Sequence, residues 1–305
     1  MRFPGFRFSD LFRDRFDRNP RVIDTEGVEL TVERGDLRSL DNDRVAVISS
    51  WSRTPVMSKS LSTYLKELDR LGYATLVVST SGVSEPLQWL HGIPDKTVVV
   101  RRKNIGYDFG SLAAALHSVS SIRGAKHVLL TNDSMVGPFA PIDNLIRAAE
   151  QSDADVFGLT ESYQIIHHPQ SFFLMFREGV LEEEPWRRFF ESVREQDDKV
   201  GVIQAYELGL SRHCAHEGYS WETFVSAYQT GAGEENPTLH GWRGIMDAGA
   251  PFLKRNLLVE TERPEVSRQM ATEIQYRYGE KVEDWLPGGY KLATAFTEDR
   301  VQTEE

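Results

Sequence analysis

Apolar and polar positions are grouped along the first half of the chain into blocks the size of whole secondary-structure elements. Arg44 to Ser49, RVAVIS, is a short apolar and β-branched run with the length and content of a buried strand. A polar loop follows from Ser50 to Pro55. Ser58 then stands where it caps a helix whose Leu61, Leu65, Leu68 and Leu71 recur at helical spacing, and Gly72 supplies the stop. Ala74 to Ser79, Thr97 to Arg101 and His127 to Thr131 read as three more buried strands, and Leu112, Leu116 and Val119 predict a helix between the last two. Strands that alternate with helices and are apolar along their whole length, not at every second residue, belong to a parallel sheet covered on both faces. The expected fold class is therefore α/β, with a mostly parallel central sheet. Ligands of such sheets bind outside the carboxyl ends of the strands, here at the loops after Ser49, Arg101 and Thr131.

Beyond Pro141, which suits a first helical turn, Leu145, Ile146 and Ala149 share a helical face. Val156 to Leu159 and Phe172 to Phe176 read as further strands of mixed direction. The remainder is mostly helical, with apolar faces at Trp186, Phe189, Phe190 and Val193, then at Ile203, Leu210 and Cys214, and last at Val266, Met270 and Ile274, closed by Gly279.

Composition narrows the function classes. A 305-residue chain with 40% hydrophobic and 27% charged residues folds. Its net charge of −11 argues against a counterion-releasing grip on nucleic acid, so any anionic substrate is held by local cations. A single cysteine, Cys214, allows neither an intramolecular disulfide nor a cysteine-based zinc site and suits a cytoplasmic protein. No stretch approaches the ~18 apolar residues of a membrane span. The opening segment interleaves Phe3, Phe6, Phe8, Phe12 and Phe16 with Arg2, Arg7, Arg13 and Arg15, a mixture that suits peripheral contact with anionic lipid at the inner face of a membrane, or packing of the arm on the domain. The chain divides accordingly into an arm over 1–40, a main domain over 41–260, and a helix with an acidic tail over 261–305.

The common nucleotide and hydrolase signatures are missing: there is no P-loop, no dinucleotide fingerprint and no Gly-x-Ser-x-Gly elbow. Two other segments stand at strand ends. In KNIGYDFGS, Lys103 to Ser111, Gly106 and Gly110 permit close approach of a ligand, while Asn104 and Asp108 offer acceptors to a base or ribose. The same residues also make a tight turn with Asp108 as helix cap. In LLTNDSMVGPF, Leu129 to Phe139, Asp133 sits where a carboxylate holds a divalent cation against a diphosphate, with Asn132 and Ser134 completing the shell, although Asn-Asp-Ser also suits a solvated turn.

Taken in order, NxGYDFG, LLTNDSxxGPF, FGLTES with HHPQSFFLMF, YELGLS, NPxxxxW and PFLKRNLL resemble the rhamnan synthesis protein F family of bacterial polysaccharide glycosyltransferases, from about Arg44 to Leu258. The resemblance implies a Rossmann-like, GT-A-like nucleotide-sugar glycosyltransferase fold and transfer of a sugar, rhamnose in particular, from a deoxythymidine diphosphate donor to a cell-surface polysaccharide or lipid-linked acceptor. Relatives of this fold bind Mg2+ or Mn2+ through Asp-x-Asp. The matching segment here, Asn132-Asp133-Ser134, has one carboxylate, so either Asp133 binds the metal nearly alone or Lys254 and nearby arginines neutralise the leaving diphosphate.

The reading assigns Ser50, Trp51, Ser52, Asn104, Gly106 and Asp108 to the nucleoside, and Asp133, Asn132, Ser134, His168 and Lys254 to the phosphates and metal. Glu207, at the margin of a helix face where burial raises a carboxylate pKa, is the expected base, with Asp108 and Asp155 as alternatives. Trp242 and Phe252 read as core. Two other classes compete: a non-catalytic nucleotide- or glycan-binding subunit, and a zinc hydrolase using His213 and His216, whose spacing matches neither His-Glu-x-x-His nor its inverted form.

Overall fold

The structure, a computed structural model, describes residues 19–259 and 264–293; the arginine- and phenylalanine-rich opening segment and the acidic tail after Phe296 lie outside the described residues. Among the described residues no helix is long and apolar enough to cross a membrane.

In chain order the main elements are β1 (Thr31–Arg34), β2 (Arg44–Ser50), α1 (Lys59–Arg70), β3 (Ala74–Ser79), β4 (Val98–Arg101), α2 (Tyr107–Ser118), β5 (His127–Asn132), β6 (Met135–Val136), α3 (Asp143–Gln151), β7 (Val156–Ser162), β8 (His168–Pro169), β9 (Phe173–Arg177), α4 (Glu184–Glu191), α5 (Lys199–Val202), α6 (Leu208–Glu217), β10 (Trp221–Val225) and β11 (Leu253–Lys254). The principal sheet has the order β1-β4-β3-β2-β5-β9-β7-β10, with β8 beside β7; β6 and β11 form a separate two-stranded ribbon.

β2 lies at the centre because it is apolar on both faces. Val45 and Val47 enter one hydrophobic cluster with Leu76, Val78, Val98 and Val100, while Ala46 and Ile48 enter another with Val77 and Val99. The two-residue period of a strand sends alternate side chains to opposite faces, so a continuous apolar run feeds two cores. α2, α4 and α6 cover the first face through Leu112, Trp186 and Leu210, and α1 and α3 cover the second through Leu65 and Leu145. Ser58 caps α1 by accepting from the Leu61 amide at 3.1 Å, and Gly72 takes φ +84° just beyond it, as the sequence predicts.

The sheet is mostly parallel but mixed, with β4, β3, β2, β5, β7 and β10 pointing the same way. β4, β3, β2 and β5 run parallel, but β9 lies antiparallel between β5 and β7, and β1 closes the other edge antiparallel to β4. Residues 163–172 alone join β7 to β9, too short a connection for the crossover that parallel neighbours require.

The connection from β4 to α2 is built around the buried Arg102. Its guanidinium donates to the Gly27 carbonyl at 2.6 Å, to the Ile105 carbonyl at 2.7 Å and to Ser111 Oγ at 3.0 Å. Desolvation without a carboxylate partner pushes its pKa down to about 10. Gly106 takes φ +80° as the residue preceding α2, and a Cβ there would lie 2.7 Å from Val22 Cγ2. Both glycines of this loop therefore serve the packing of the chain on itself. A Cβ at Gly110 would stand 2.1 Å from the Ile105 carbonyl oxygen, so Gly110→Ala is expected to cost about 2 kcal/mol or more, read as a lowered urea midpoint with an unchanged denaturant slope.

Candidate functional site

Side chains carried on the carboxyl ends of β2 and β5 and on the first turn of α2 meet at one place. Ser49 Oγ donates to Asp108 Oδ1 at 2.9 Å and Asn132 Nδ2 to Oδ2 at 3.1 Å. Gly106, not Asp108, occupies the N-cap of α2, so the Asp108 carboxylate is free of capping and turned to the strand ends. Its half-burial and the negative charge of Asp133 raise its pKa, against the hydrogen bond from Ser49 and the charges of Lys199 and Lys254.

Asp133 follows β5 directly. Its Oδ2 accepts from Ser50 Oγ at 2.7 Å and from the Trp51 amide at 3.2 Å; Arg255 Nη1 donates to its carbonyl at 2.7 Å and lies 3.4 Å from Oδ1. Asn132 Oδ1 accepts from the Ser134 amide at 3.1 Å, closing a tight Asx turn. The cations come from far along the chain. β11 pairs antiparallel with β6, Lys254 opposite Met135, and the Arg255 amide bonds the Ser134 carbonyl at 3.0 Å. Lys254 therefore lies on this ribbon, where Nζ reaches Ser134 Oγ at 3.4 Å and sits 5.5 Å from the Phe172 ring centroid. Burial pushes its pKa down to about 8, opposed by the charges of Glu207 and Asp108.

Glu207 faces the same place from the helical segment that leads into α6. The helical segment from α5 to α6 widens at Ile203–Glu207 into a π turn, a form that recurs at functional sites. There Glu207 Oε1 lies 3.5 Å from His168 Nε2, and Oε2 accepts from Ser171 Oγ. His168 is buried, with Nδ1 against the Ile166 carbonyl at 2.8 Å, which leaves Nε2 turned to the carboxylate. The expected upward pKa shift is reversed. Burial does push Glu207 up, but the hydrogen bond and charge of His168, the Ser171 hydroxyl and the charge of Lys254 outweigh it and hold Glu207 below the usual glutamate range.

The structure thus brings together Ser50, Trp51, Asp108, Asn132, Asp133, Ser134, Glu207, His168 and Lys254. Ser52 is buried, with its hydroxyl on the Thr54 carbonyl at 2.6 Å, and Asn104 is exposed on the loop after β4. Asp155 is held by Ser220 just before β7, at the end of the sheet away from the site. His213 packs among Trp186, Phe189 and Tyr219, while His216 is exposed beside Glu217. Trp242 and Phe252 are buried, as expected. Arg255 is foreseen by sequence only as one of the arginines near Lys254, and Ser171 carries no sequence signal. A small hollow beside Asp133 is walled by Tyr64, Leu159, Phe172 and Phe252.

A family model described as rhamnan synthesis protein F matches residues 75–283, a span that holds Asp108, Asp133, Glu207, Lys254 and Arg255. Virulence protein VirA of Vibrio anguillarum is 31% identical over 193 residues, covering 53% of this chain and 62% of its own. An uncharacterized protein, y4gN, of Sinorhizobium fredii is 25% identical over 201 residues, covering 62% of this chain and 50% of its own. The chain thus spans less than two thirds of the length of these curated relatives. A solved glycosyltransferase involved in the glycosylation of the major capsid of PBCV-1 aligns at 12% identity and a TM-score of 0.38, over 74% of this chain and 98% of its own, a likeness too slight to carry an argument.

The lysine at the centre of the site makes a signed prediction. Its pKa is 10.5 as an ordinary lysine and about 8 in the fold. Between those values the unfolded chain holds a proton that the folded chain has released, so the wild type gains stability as pH rises through that window. Lys254→Met is expected to stabilise the fold by about 1–2 kcal/mol at pH 7, with the difference vanishing as pH approaches 10.5, measured by urea unfolding at successive pH values.

Proposed function

The chain belongs to the rhamnan synthesis protein F family, and from that premise we propose that it is a glycosyltransferase, moving a rhamnosyl group from a nucleoside diphosphate donor to a cell-surface polysaccharide or lipid-linked glycan. The observation that carries this reading is the meeting of two cations, Lys254 and Arg255, with the carboxylates of Asp108 and Asp133 at the strand ends, opposite an ionised Glu207.

In this reading the donor's nucleoside lies over Ser50, Trp51, Ser52 and Asn104, and its diphosphate lies toward Ser134, Lys254 and Arg255. Transfer forms a bond from the acceptor oxygen to the anomeric carbon and breaks the bond from that carbon to the diphosphate oxygen. The departing diphosphate gains negative charge, which Lys254 and Arg255 are placed to take up without reorganising. Glu207 removes the acceptor hydroxyl's proton. With a lowered pKa it is a weaker base than a buried, unpartnered glutamate but fully ionised at neutral pH, while His168 and Ser171 fix its orientation. The arginine- and phenylalanine-rich opening segment suits the approach to a lipid-borne acceptor at the inner face of the membrane.

A divalent cation fits the site only in the sparse form that Mg2+ adopts with phosphates, one or two carboxylates plus substrate oxygens. Among the described residues no group of three His, Cys, Asp or Glu is arranged to hold a metal. Asp133 would hold Mg2+ or Mn2+ through Oδ1, the oxygen with only the longer contact to Arg255, and the repulsion that raises the Asp108 pKa is what a cation there would relieve. When bound, the ion supplies charge neutralisation on the diphosphate.

Calorimetric titration with deoxythymidine diphosphate and uridine diphosphate, followed by donor hydrolysis and transfer assays, tests the reading. Diphosphate affinity is expected to fall by about an order of magnitude between pH 7 and pH 9 as Lys254 loses its proton near 8, and this pH dependence is absent in Lys254→Met. Added Mg2+ tightens binding in the wild type and not in Asp133→Asn. Glu207→Gln binds diphosphate normally and loses transfer by ~100-fold or more. A protein that binds no nucleotide overturns the reading, and one that binds nucleotide but turns over no donor is a binding subunit.

A further inference from the structure

Four aromatic rings stand in a row between the residues after β7 and the edge strand β10. Trp221 packs on His167 with centroids 4.6 Å apart, His167 lies flat against Tyr163 at 4.2 Å and 4° between planes, and Tyr163 meets Tyr228 edge-on at 5.4 Å. Tyr228, at the outer end, is 62% exposed. We propose that this row is the landing surface for the acceptor glycan, taking the apolar face of one pyranose ring of a chain that leads on past His168 to Glu207. This inference rests on the glycosyltransferase reading above.

Three features argue for a saccharide. The row is preorganised: Glu161, a carboxylate at the end of β7 whose side chain is only 10% exposed, lies 3.1 Å from His167 Nε2 and holds the imidazole against Tyr163. A buried acid spent on orienting an exposed ring is costly unless the ring's position matters. The row is also continuous with the site. His167 carries a ring within the row, and the next residue, His168, faces Glu207 and pairs with Ser162 across the β7–β8 hairpin, so one element joins the row to the base. Finally, the chemistry matches. A pyranose offers one face of C–H bonds and a rim of hydroxyls, and tyrosine and tryptophan are the side chains that combine an apolar body with a polar handle. Rings already locked in place lose little entropy on binding.

The test is calorimetry on the full chain with a rhamnose tetrasaccharide as probe and, in parallel, with the nucleoside diphosphate. The wild type is expected to bind both. Tyr228→Ala, at the most exposed ring, weakens tetrasaccharide binding roughly tenfold while diphosphate affinity and the urea midpoint stay put, and Tyr228→Phe behaves as wild type. Diphosphate binding without tetrasaccharide binding overturns the landing surface and leaves the glycosyltransferase reading standing. Equal tetrasaccharide affinity in wild type and Tyr228→Ala also overturns it, as does a fall in stability that accounts for the loss, since the rings then serve only to cover the edge strand β10. A protein that binds neither ligand removes both proposals.

Discussion

The site depends on one small pairing, the two-residue ribbon that joins β11 to β6. Leu253 and Lys254 lie opposite Val136 and Met135, and through them a segment more than a hundred residues downstream is laid against the turn after β5. So short a ribbon has little stability of its own. It is held because Val136, Phe139 and Leu253 join a separate hydrophobic cluster with Trp242, Met246, Leu258, Met270, Ile274 and Trp285. The helices at the end of the chain therefore do more than finish the fold. They press the cationic strand onto the acidic turn.

The electrostatics show why that pressing is needed. Asp108 is raised by burial and by Asp133, Lys254 is lowered by burial, and Glu207 stays low only because His168, Ser171 and Lys254 offset its burial. Each charged group pays part of the desolvation of its neighbour, and none is fully balanced on its own. Sites with shifted groups of opposite sign in close company are where ligand charge is most readily accommodated.

Much of the sheet was legible because its strands are buried on both faces. β2, β3, β4 and β5 announce themselves as continuous apolar runs, and their carboxyl ends locate the site without any motif. The direction of β9 was not legible, because an apolar run reads the same both ways and only the connection sets its sense. β1, TVER, is exposed at every position and carries no periodic signal. Position in the sequence singles out Asp133 and Glu207 as candidates, yet not the sign of the Glu207 shift. Burial can be read from a helix face, whereas His168 and Ser171 reach Glu207 only through a strand order that composition does not specify. Gly106 was assigned to ligand approach when its neighbour is Val22, since residues 22 and 106 meet only in the folded chain.

The π turn at Ile203–Glu207 carries a consequence for how such a site changes over generations. A turn that holds one residue more than its neighbours is a phase shift, rotating everything beyond it by about 100° around the helix axis. The glutamate's alignment with His168 and Ser171 is thus stored as an insertion, not as a choice of side chain. Losing a single residue there would restore a regular helix and leave every motif in place, while swinging the carboxylate out of register with its partners. Two sequences that look alike by composition would then differ in whether the site is assembled at all.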